Sequence, residues 1–371
     1  MMQRMHVRTR VGFTLIEMLI VITIIGMLMA LSSFAVWKVI QSAKQAKIHV
    51  EIEQMAQSMV SYKQDRIQYP PCMGTISITD RKMGFLRHIS LAFANANYGT
   101  TAANFDALRN RIMTATTPTN WNYNYQNASG SVAQLDLHTL DQAEALVFWL
   151  GGFPTPYKGT SPVAGRRLFG FHSDDDNPFK RDAFEGTTPL QFRTDLRYSF
   201  EETRLVDNDG DGWLEYLPSA QRFGEANAPF VYFDADTYGL STNTTATAWL
   251  HYGYPRPDNN GTVSPAAKDL ASRYGIASPM ATYMDAAKAN PVRWAKPTDF
   301  QIICAGLDGL YCGGIDGSGT LSSQQRTPIF PNGVVFSGAK MDTQGYYTRE
   351  DLDNQTNLSS KTLEGARGEA Q

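Results

Sequence analysis

Cysteine is scarce in this chain: Cys72, Cys304 and Cys312 are the only three in 371 residues. Three cysteines cannot build the multiply bridged framework of a small secreted domain. Cys304 and Cys312, eight positions apart, have the spacing to close one small loop in an oxidising compartment; buried free thiols are the alternative. An excess of basic residues is also missing, since 33 Lys and Arg stand against 36 Asp and Glu for a net charge of −3. That balance argues against a generally basic nucleic-acid binder. Signatures of catalysis are absent as well: no Gly-x-Ser-x-Gly elbow, no His-Glu-x-x-His and no Gly-x-x-x-x-Gly-Lys-Ser/Thr loop occurs. The six His lie scattered, without a neighbouring Cys or His to complete a zinc site. No period of 20 to 50 residues repeats, which argues against solenoids and propellers. An enzyme is not expected.

What the chain does have is one long apolar run. From Phe13 to Trp37 the only ionisable side chain is Glu17. At about 1.5 Å per residue this stretch spans about 37 Å as a helix, enough to cross a hydrocarbon core of about 30 Å. Arg4, Arg8 and Arg10 precede it and mark the flank that stays in the cytoplasm. An ordinary secretory signal is cut after its apolar core, usually at an Ala-x-Ala box, and no such box follows here. Glu17 is then an anomaly, because a carboxylate in hydrocarbon is costly unless paired. By itself it reads as a side chain snorkelling from the helix end to the interface.

The stretch Gly12-Phe13-Thr14-Leu15-Ile16-Glu17, behind a basic leader and ahead of an apolar run, resembles the class III signal of type IV prepilins and type II secretion pseudopilins. The resemblance implies a prepilin peptidase that cuts between Gly12 and Phe13 and methylates the new Phe13 amine, so that the mature protein keeps its helix. It implies that Glu17 pairs with the N-terminal amine of the neighbouring subunit in a filament. Losing the three leader arginines would take the net charge from −3 to −6. The implied partners are homologous pilin-like subunits, the prepilin peptidase and an inner-membrane assembly platform, with no organic cofactor and no nucleic acid. The implied location is the inner membrane, single-pass, with the head in the periplasm.

After the leader (1–12) that the resemblance implies, composition and periodicity divide the chain into a transmembrane part of the N-terminal helix (13–37) and an amphipathic part (38–69). A helical and loop insertion (70–195), a β-rich head with acidic loops (196–357) and a polar tail (358–371) follow. In the amphipathic part Ile48, Ile52, Met55, Met59 and Tyr62 recur at spacings of three and four, one apolar stripe on a polar helix. Pro70-Pro71 must end that helix. Asn104 to Ile112 reads as a capped helix, Pro118 to Ser131 as a loop. Thr139-x-x-Gln142 reads as a capping box opening a helix that Gly151 stops, with Leu140, Ala143, Val147 and Leu150 on one face. Strands are predicted at Leu196–Phe200, Phe230–Phe233, Phe300–Ala305 and Val334–Ser337. Helices opening with Pro are predicted at Pro265–Tyr274 and Pro279–Ala289. The fold class is α+β: a long N-terminal helix packed on an antiparallel sheet head with a large, partly helical insertion.

Two acidic segments have calcium-loop character. In Asp207-Asn208-Asp209-Gly210-Asp211-Gly212-Trp213-Leu214-Glu215 the acids fall at positions one, three, five and nine with Gly at six. Such spacing turns alternate carboxylates toward one point, and the Gly permits the sharp turn. Position twelve is Pro218, so this is not an EF-hand. Asp207, Asp209, Asp211 and Glu215 are therefore candidate calcium ligands, against the reading of a metal-free acidic turn. Near the C-terminus Gly306-Leu307-Asp308-Gly309 and the later Asp351-Leu352-Asp353 resemble the calcium loop of major-type pseudopilins, which makes Asp308, Asp351 and Asp353 a weaker ligand set. Ile315 to Glu350 departs from that pattern by its length. Asp174-Asp175-Asp176 reads as a solvated loop.

These features together predict a pilin-like structural subunit of a type II secretion pseudopilus or a type IV pilus-like periplasmic filament. The size and extra helices of the head favour a minor subunit, while the resemblance, in which tip subunits of secretion pseudopili lack this Glu, implies that a subunit carrying Glu17 is not the extreme tip. The alternative is a membrane-tethered extracytoplasmic module that binds glycan or DNA and never polymerises.

Overall fold

The apolar run and the amphipathic stretch after it form one helix, α1 (Leu15–Arg66), in the computed structural model of the protein. The structure describes residues 13–74, 78–93, 95–96, 98–114, 124–126, 132–154, 168, 170–172, 176–179, 196–220, 227–238, 254–255, 265–284, 292–311, 326–337, 343–347 and 351–370. Gly12 and the leader, Cys312, and Asp174 and Asp175 lie outside the described residues. Contacts divide the chain into two units, Met1–Ala46 and Lys47–Gln371.

In the first unit the side chains of α1 are exposed, among them Ile16, Ile22, Met27, Leu28 and Trp37. The helix is long and apolar enough to cross a membrane. Three hydroxyls in its apolar run are satisfied within the helix: Thr23 donates to the Ile20 carbonyl, Ser32 to Leu28 and Ser33 to Met29, at 2.7 to 2.8 Å. Hydrocarbon offers such groups no other partner.

The second unit follows in the order α2 (Ile78–Ala92), α3 (Ala102–Thr114), β1 (Asn124–Gln126), β2 (Val132–Gln134), α4 (Gln142–Gly151), β3 (Leu205–Val206), β4 (Glu215–Tyr216) and β5 (Val231–Asp234). Then come α5 (Pro265–Tyr274), β6 (Ala281–Met284), β7 (Val292–Trp294), β8 (Phe300–Cys304), β9 (Arg326–Ile329), β10 (Val334–Ser337), β11 (Thr343–Tyr346), β12 (Gln355–Thr356) and α6 (Leu363–Ala370). The strands make a five-stranded sheet ordered β11-β10-β9-β6-β7, a three-stranded sheet ordered β12-β8-β5, and the pairs β1-β2 and β3-β4. All pairings are antiparallel except β6 with β9, which meet in parallel at Ala281 and Ile329. This is the expected α+β class.

The predicted stripe of α1 is the face that enters the head. Ile48, Ile52, Met55, Met59 and Tyr62 are each at most 1% exposed, and the first four pack with Leu146, Val147 and Leu150 of α4 and with Tyr232 and Ile302 of the three-stranded sheet. The helix stops at Arg66; Ile67 adopts a left-handed φ of 71°, a helix-ending conformation that is strained for a β-branched residue. All ten residues of α4 are buried, not only one face, because the helix lies between two cores. On one side Phe148 and Trp149 join an aromatic cluster with Phe85, Phe105, Phe153, Phe179 and Trp213. On the other its aliphatic side chains meet the stripe of α1.

Several expectations are corrected. Helix α3 begins at Ala102, and its cap is Thr101, whose hydroxyl accepts from Asn104 N at 3.3 Å; Asn104 instead accepts from the Thr101 amide. The capping box of α4 is Asp141 and Glu144, two residues beyond Thr139 and Gln142. The loop expected over Pro118–Ser131 contains strand β1, and α2 was not foreseen. Leu196–Phe200 pairs with no described strand; its Tyr198 and Phe200 rings pack on Tyr216 instead. Within the helix expected over Pro279–Ala289, Ala281–Met284 is β6, since pairing with β7 and β9 outweighs local propensity. The polar tail is not polar throughout: α6 buries Leu363 and Ala366. Cys72 and Cys304 are free, buried thiols.

One buried group gives a pH prediction. His88 is 3% exposed, with its ring stacked on Tyr62 and edge-on to Trp149 and its Nε2 2.8 Å from the Tyr62 hydroxyl. Burial, then Arg66 and Arg87, hold it neutral, lowering its pKa to about 3. The unfolded chain takes up this proton near pH 6.5, the folded chain only near 3, so stability from this site is full above 6.5 and declines as pH falls through that window. Wild-type protein is expected to lose up to about 1.4 kcal/mol per pH unit there from His88, and His88→Phe to show a shallower loss. Equal slopes in denaturant titrations at pH 7, 6 and 5 would contradict the assignment.

Candidate functional site

At the start of α1, Thr14 and Glu17 form a closed pair. The Thr14 amide and hydroxyl both donate to Glu17 Oε2 at 2.8 Å, and the Glu17 amide donates to the Thr14 hydroxyl at 3.3 Å. This is a capping box, Thr-x-x-Glu, which satisfies helix donors that would otherwise be orphaned. The cap is an addition to the snorkelling and charge-pairing readings of Glu17 and is written in the same four residues. Phe13, directly before the cap, is exposed.

The Asp-rich segment is the connection between β3 and β4. Gly210 and Gly212 take φ of 81° and 97°, where a Cβ would be strained, and the chain winds tightly around its own carboxylates. Asp207 accepts from the amides of Gly210 at 2.7 Å and Gly212 at 3.1 Å. Asp209 accepts from Asp211 N at 3.4 Å, and Asp211 Oδ1 from Trp213 N at 2.9 Å. Glu215, 1% exposed, accepts from the Tyr254 hydroxyl at 2.7 Å and from the Asn208 side-chain Nδ2.

The segment is completed from elsewhere in the chain. Glu144, in the first turn of α4, brings a carboxylate oxygen to those of Asp209 and Asp211, all within 4.8 Å of one another. Its Oε2 is held by the Asp141 amide at 2.8 Å, the return half of the capping box. Its Oε1 and Asp211 Oδ2 are buried and accept no hydrogen bond. Of the four expected ligands the structure therefore gathers Asp209 and Asp211, while Asp207 closes the loop and Glu215 is engaged by Tyr254 and Asn208. Glu144 was missed because the cap had been placed two residues early; a box read at Asp141 would have marked it as an inward-facing acid.

The carboxylates raise one another. Burial, then Asp211 and Asp207, push Asp209 up to about 8. Burial pushes Asp211 up to about 6, opposed by a hydrogen bond with Thr139 and reinforced by Asp207. Glu144 is driven well above the usual carboxylate range by burial, then by Asp211, Asp141 and Asp209, and Glu215 by burial, then Asp141 and Asp209. Among the described residues no Lys or Arg forms an ion pair with Glu144, Asp209, Asp211 or Glu215.

The C-terminal segment is arranged differently. Gly306 has φ 65°, and a Cβ there would lie 2.3 Å from the Asp353 carbonyl oxygen. Asp353 Oδ2 accepts from the amides of Leu307 at 2.7 Å and Asp308 at 3.0 Å, and Asp308 accepts from Leu310 N at 2.9 Å. Asp351 is buried and its carbonyl accepts from Asn354 N at 3.2 Å. The late Asp353 thus meets the Gly-x-Asp-Gly turn, and it does so by binding backbone amides. Among the described residues Asp308, Asp351 and Asp353 do not converge as a metal-ligating trio.

Comparison with known proteins bears on the N-terminus. No curated protein and no solved structure matches the chain. Residues 12–33 match the prokaryotic N-terminal methylation motif. The match begins at Gly12, takes in the Thr14–Glu17 cap and runs through most of the apolar helix, so the chain carries the prepilin-type motif of type IV pilins and pseudopilins and fits a membrane-anchored, single-pass substrate of prepilin peptidase.

Proposed function

We propose that the protein is a structural subunit of a type II secretion pseudopilus or type IV pilus-like periplasmic filament. The observation that carries this reading is the order of the N-terminal motif: the cleavage position, Gly12–Phe13, precedes the apolar helix, so processing leaves the helix on the mature chain. Before assembly the exposed apolar face of α1 sits in the inner membrane, with the head on the periplasmic side. An assembly platform then draws the helix out of lipid, and neighbouring helices replace it. Glu17, engaged through Oε2, keeps a second carboxylate oxygen for the Phe13 ammonium of the adjacent subunit. The buried stripe from Ile48 to Tyr62 fixes the head to the helix through this movement.

One observation favours the tethered binding module as a second reading. A groove of about 730 Å³ is lined by Tyr69, Met73, Arg81, Arg87 and His88, among others, and is large enough for a small ligand. Crosslinking separates the two. With Ser42→Cys and Ala46→Cys on the exposed side of α1, oxidation of cells that make the assembly machinery is expected to give a ladder of multimers. Monomer alone under these conditions would favour the tethered module.

A further inference from the structure

We propose that Glu144, Asp209 and Asp211 bind a calcium ion that fastens helix α4 to the β3–β4 loop. The inference is independent of filament assembly. It rests on the convergence of one carboxylate oxygen each from Glu144, Asp209 and Asp211 within 4.8 Å, and on two buried oxygens of this trio, Glu144 Oε1 and Asp211 Oδ2, that accept no hydrogen bond. Glu144 itself is 1% exposed. A carboxylate taken out of water needs donors or a cation, and the donors seen around the loop serve other oxygens: Gly210 and Gly212 bond Asp207, Asp211 N bonds Asp209, Trp213 N bonds Asp211 Oδ1, and the Tyr254 hydroxyl bonds Glu215.

The ligand chemistry selects the ion. The donors are all carboxylate oxygens, with neither His nor Cys among them, which suits a hard cation over zinc. The ligands come from a helix turn and a wound loop, an irregular frame that fits the flexible coordination of calcium better than the tight octahedron of magnesium.

The two ligand sources meet beside the aromatic cluster of the head. Glu144 opens the helix that carries Phe148 and Trp149, and Asp211 lies two residues before Trp213. The Trp213 ring packs edge-on to Phe148 at 5.2 Å and its Nε1 donates to the Asp136 carbonyl at 2.8 Å. An ion at this point ties the insertion helix to the β-rich part of the head by a bond that hydrophobic packing alone does not supply.

Thermal melting of the full chain in detergent, with calcium, with magnesium and with chelator, tests the proposal. Calcium is expected to raise the midpoint by several degrees and magnesium by much less. Terbium is expected to bind in the same place, to emit when tryptophan is excited, through the nearby Trp213, and to be displaced by calcium. Glu144→Gln keeps the capping-box hydrogen bond and removes one of the crowded charges. It should melt higher than wild type in chelator and lose most of the calcium shift, a pair of opposite changes that loss of packing does not produce. Asp211→Asn should behave alike, whereas Asp308→Asn should retain the full shift. The proposal is overturned if calcium leaves the melting curve unchanged, if Glu144→Gln and Asp211→Asn keep the wild-type shift, if Asp308→Asn abolishes it, or if magnesium stabilises as much as calcium.

Discussion

Replacing Arg204 by Leu is expected to cost the head about 3–5 kcal/mol of stability, the range for breaking a buried ion pair from one side. Arg204 ends a short helical turn before β3, and its guanidinium reaches α1. Nη1 and Nη2 donate to Glu51 Oε1 and Oε2 at 2.8 Å each, a bidentate pair, while Nε and Nη2 also bind the Leu217 carbonyl. Both side chains are nearly sealed from water, at 11% and 9% exposure. The guanidinium also stacks 4.2 Å from the Tyr216 ring. Without Arg204, Glu51 keeps only the Ser219 amide at 3.1 Å and remains a buried charge. The double replacement Glu51→Leu with Arg204→Leu removes both charges and should lose less than Arg204→Leu alone, because an isosteric apolar pair often costs little. Denaturant unfolding of the three proteins measures this; a double variant less stable than the single one would show that packing, not the unpaired carboxylate, dominates.

Replacing Glu17 by Val is expected to abolish the crosslinked ladder while leaving the protein in the membrane. Insertion should not suffer, since a charge is withdrawn from the apolar run. In the structure Glu17 caps α1 through Thr14, which a Val cannot do, and under the proposed processing it would also offer a carboxylate beside the Phe13 amine. Glu17→Gln separates them. Gln can serve as the third residue of a capping box but carries no charge for the neighbouring ammonium. If charge pairing sets the axial register, both variants fail to assemble. If the cap is the essential part, Glu17→Gln assembles and Glu17→Val does not.

The parts of the fold legible in the sequence were those fixed by local physics. The apolar run, the five-residue stripe from Ile48 to Tyr62 and the proline pair after it set α1, because periodicity and a backbone block act without reference to distant residues. Pro265–Tyr274 is α5 as expected, for the same reason. Pro279–Ala289 looked alike locally, yet Ala281 pairs with Trp294 and Ile329, partners that no short window contains. Leu196–Phe200 alternates like a strand, but its aromatics were claimed by Tyr216. The acidic centre was half legible. Spacing gave Asp209 and Asp211, whereas Glu144 lies more than sixty residues earlier and joins them only through the packing of α4. The N-terminal motif was the most legible of all, since its residues act within a few turns of one helix.

The most direct test of the account is the first residue of the mature protein. When the chain is made together with a prepilin peptidase, recovered from membranes and examined by intact mass and N-terminal sequencing, it should begin at Phe13 with a single added methyl group. Gly12→Val should remain full length. A mature chain that begins after Leu31 would mean that the apolar helix had been removed as an ordinary signal, and a wild-type chain still beginning at Met1 beside an active peptidase would mean that the motif is not read; either result contradicts a pilin-like subunit that keeps its helix.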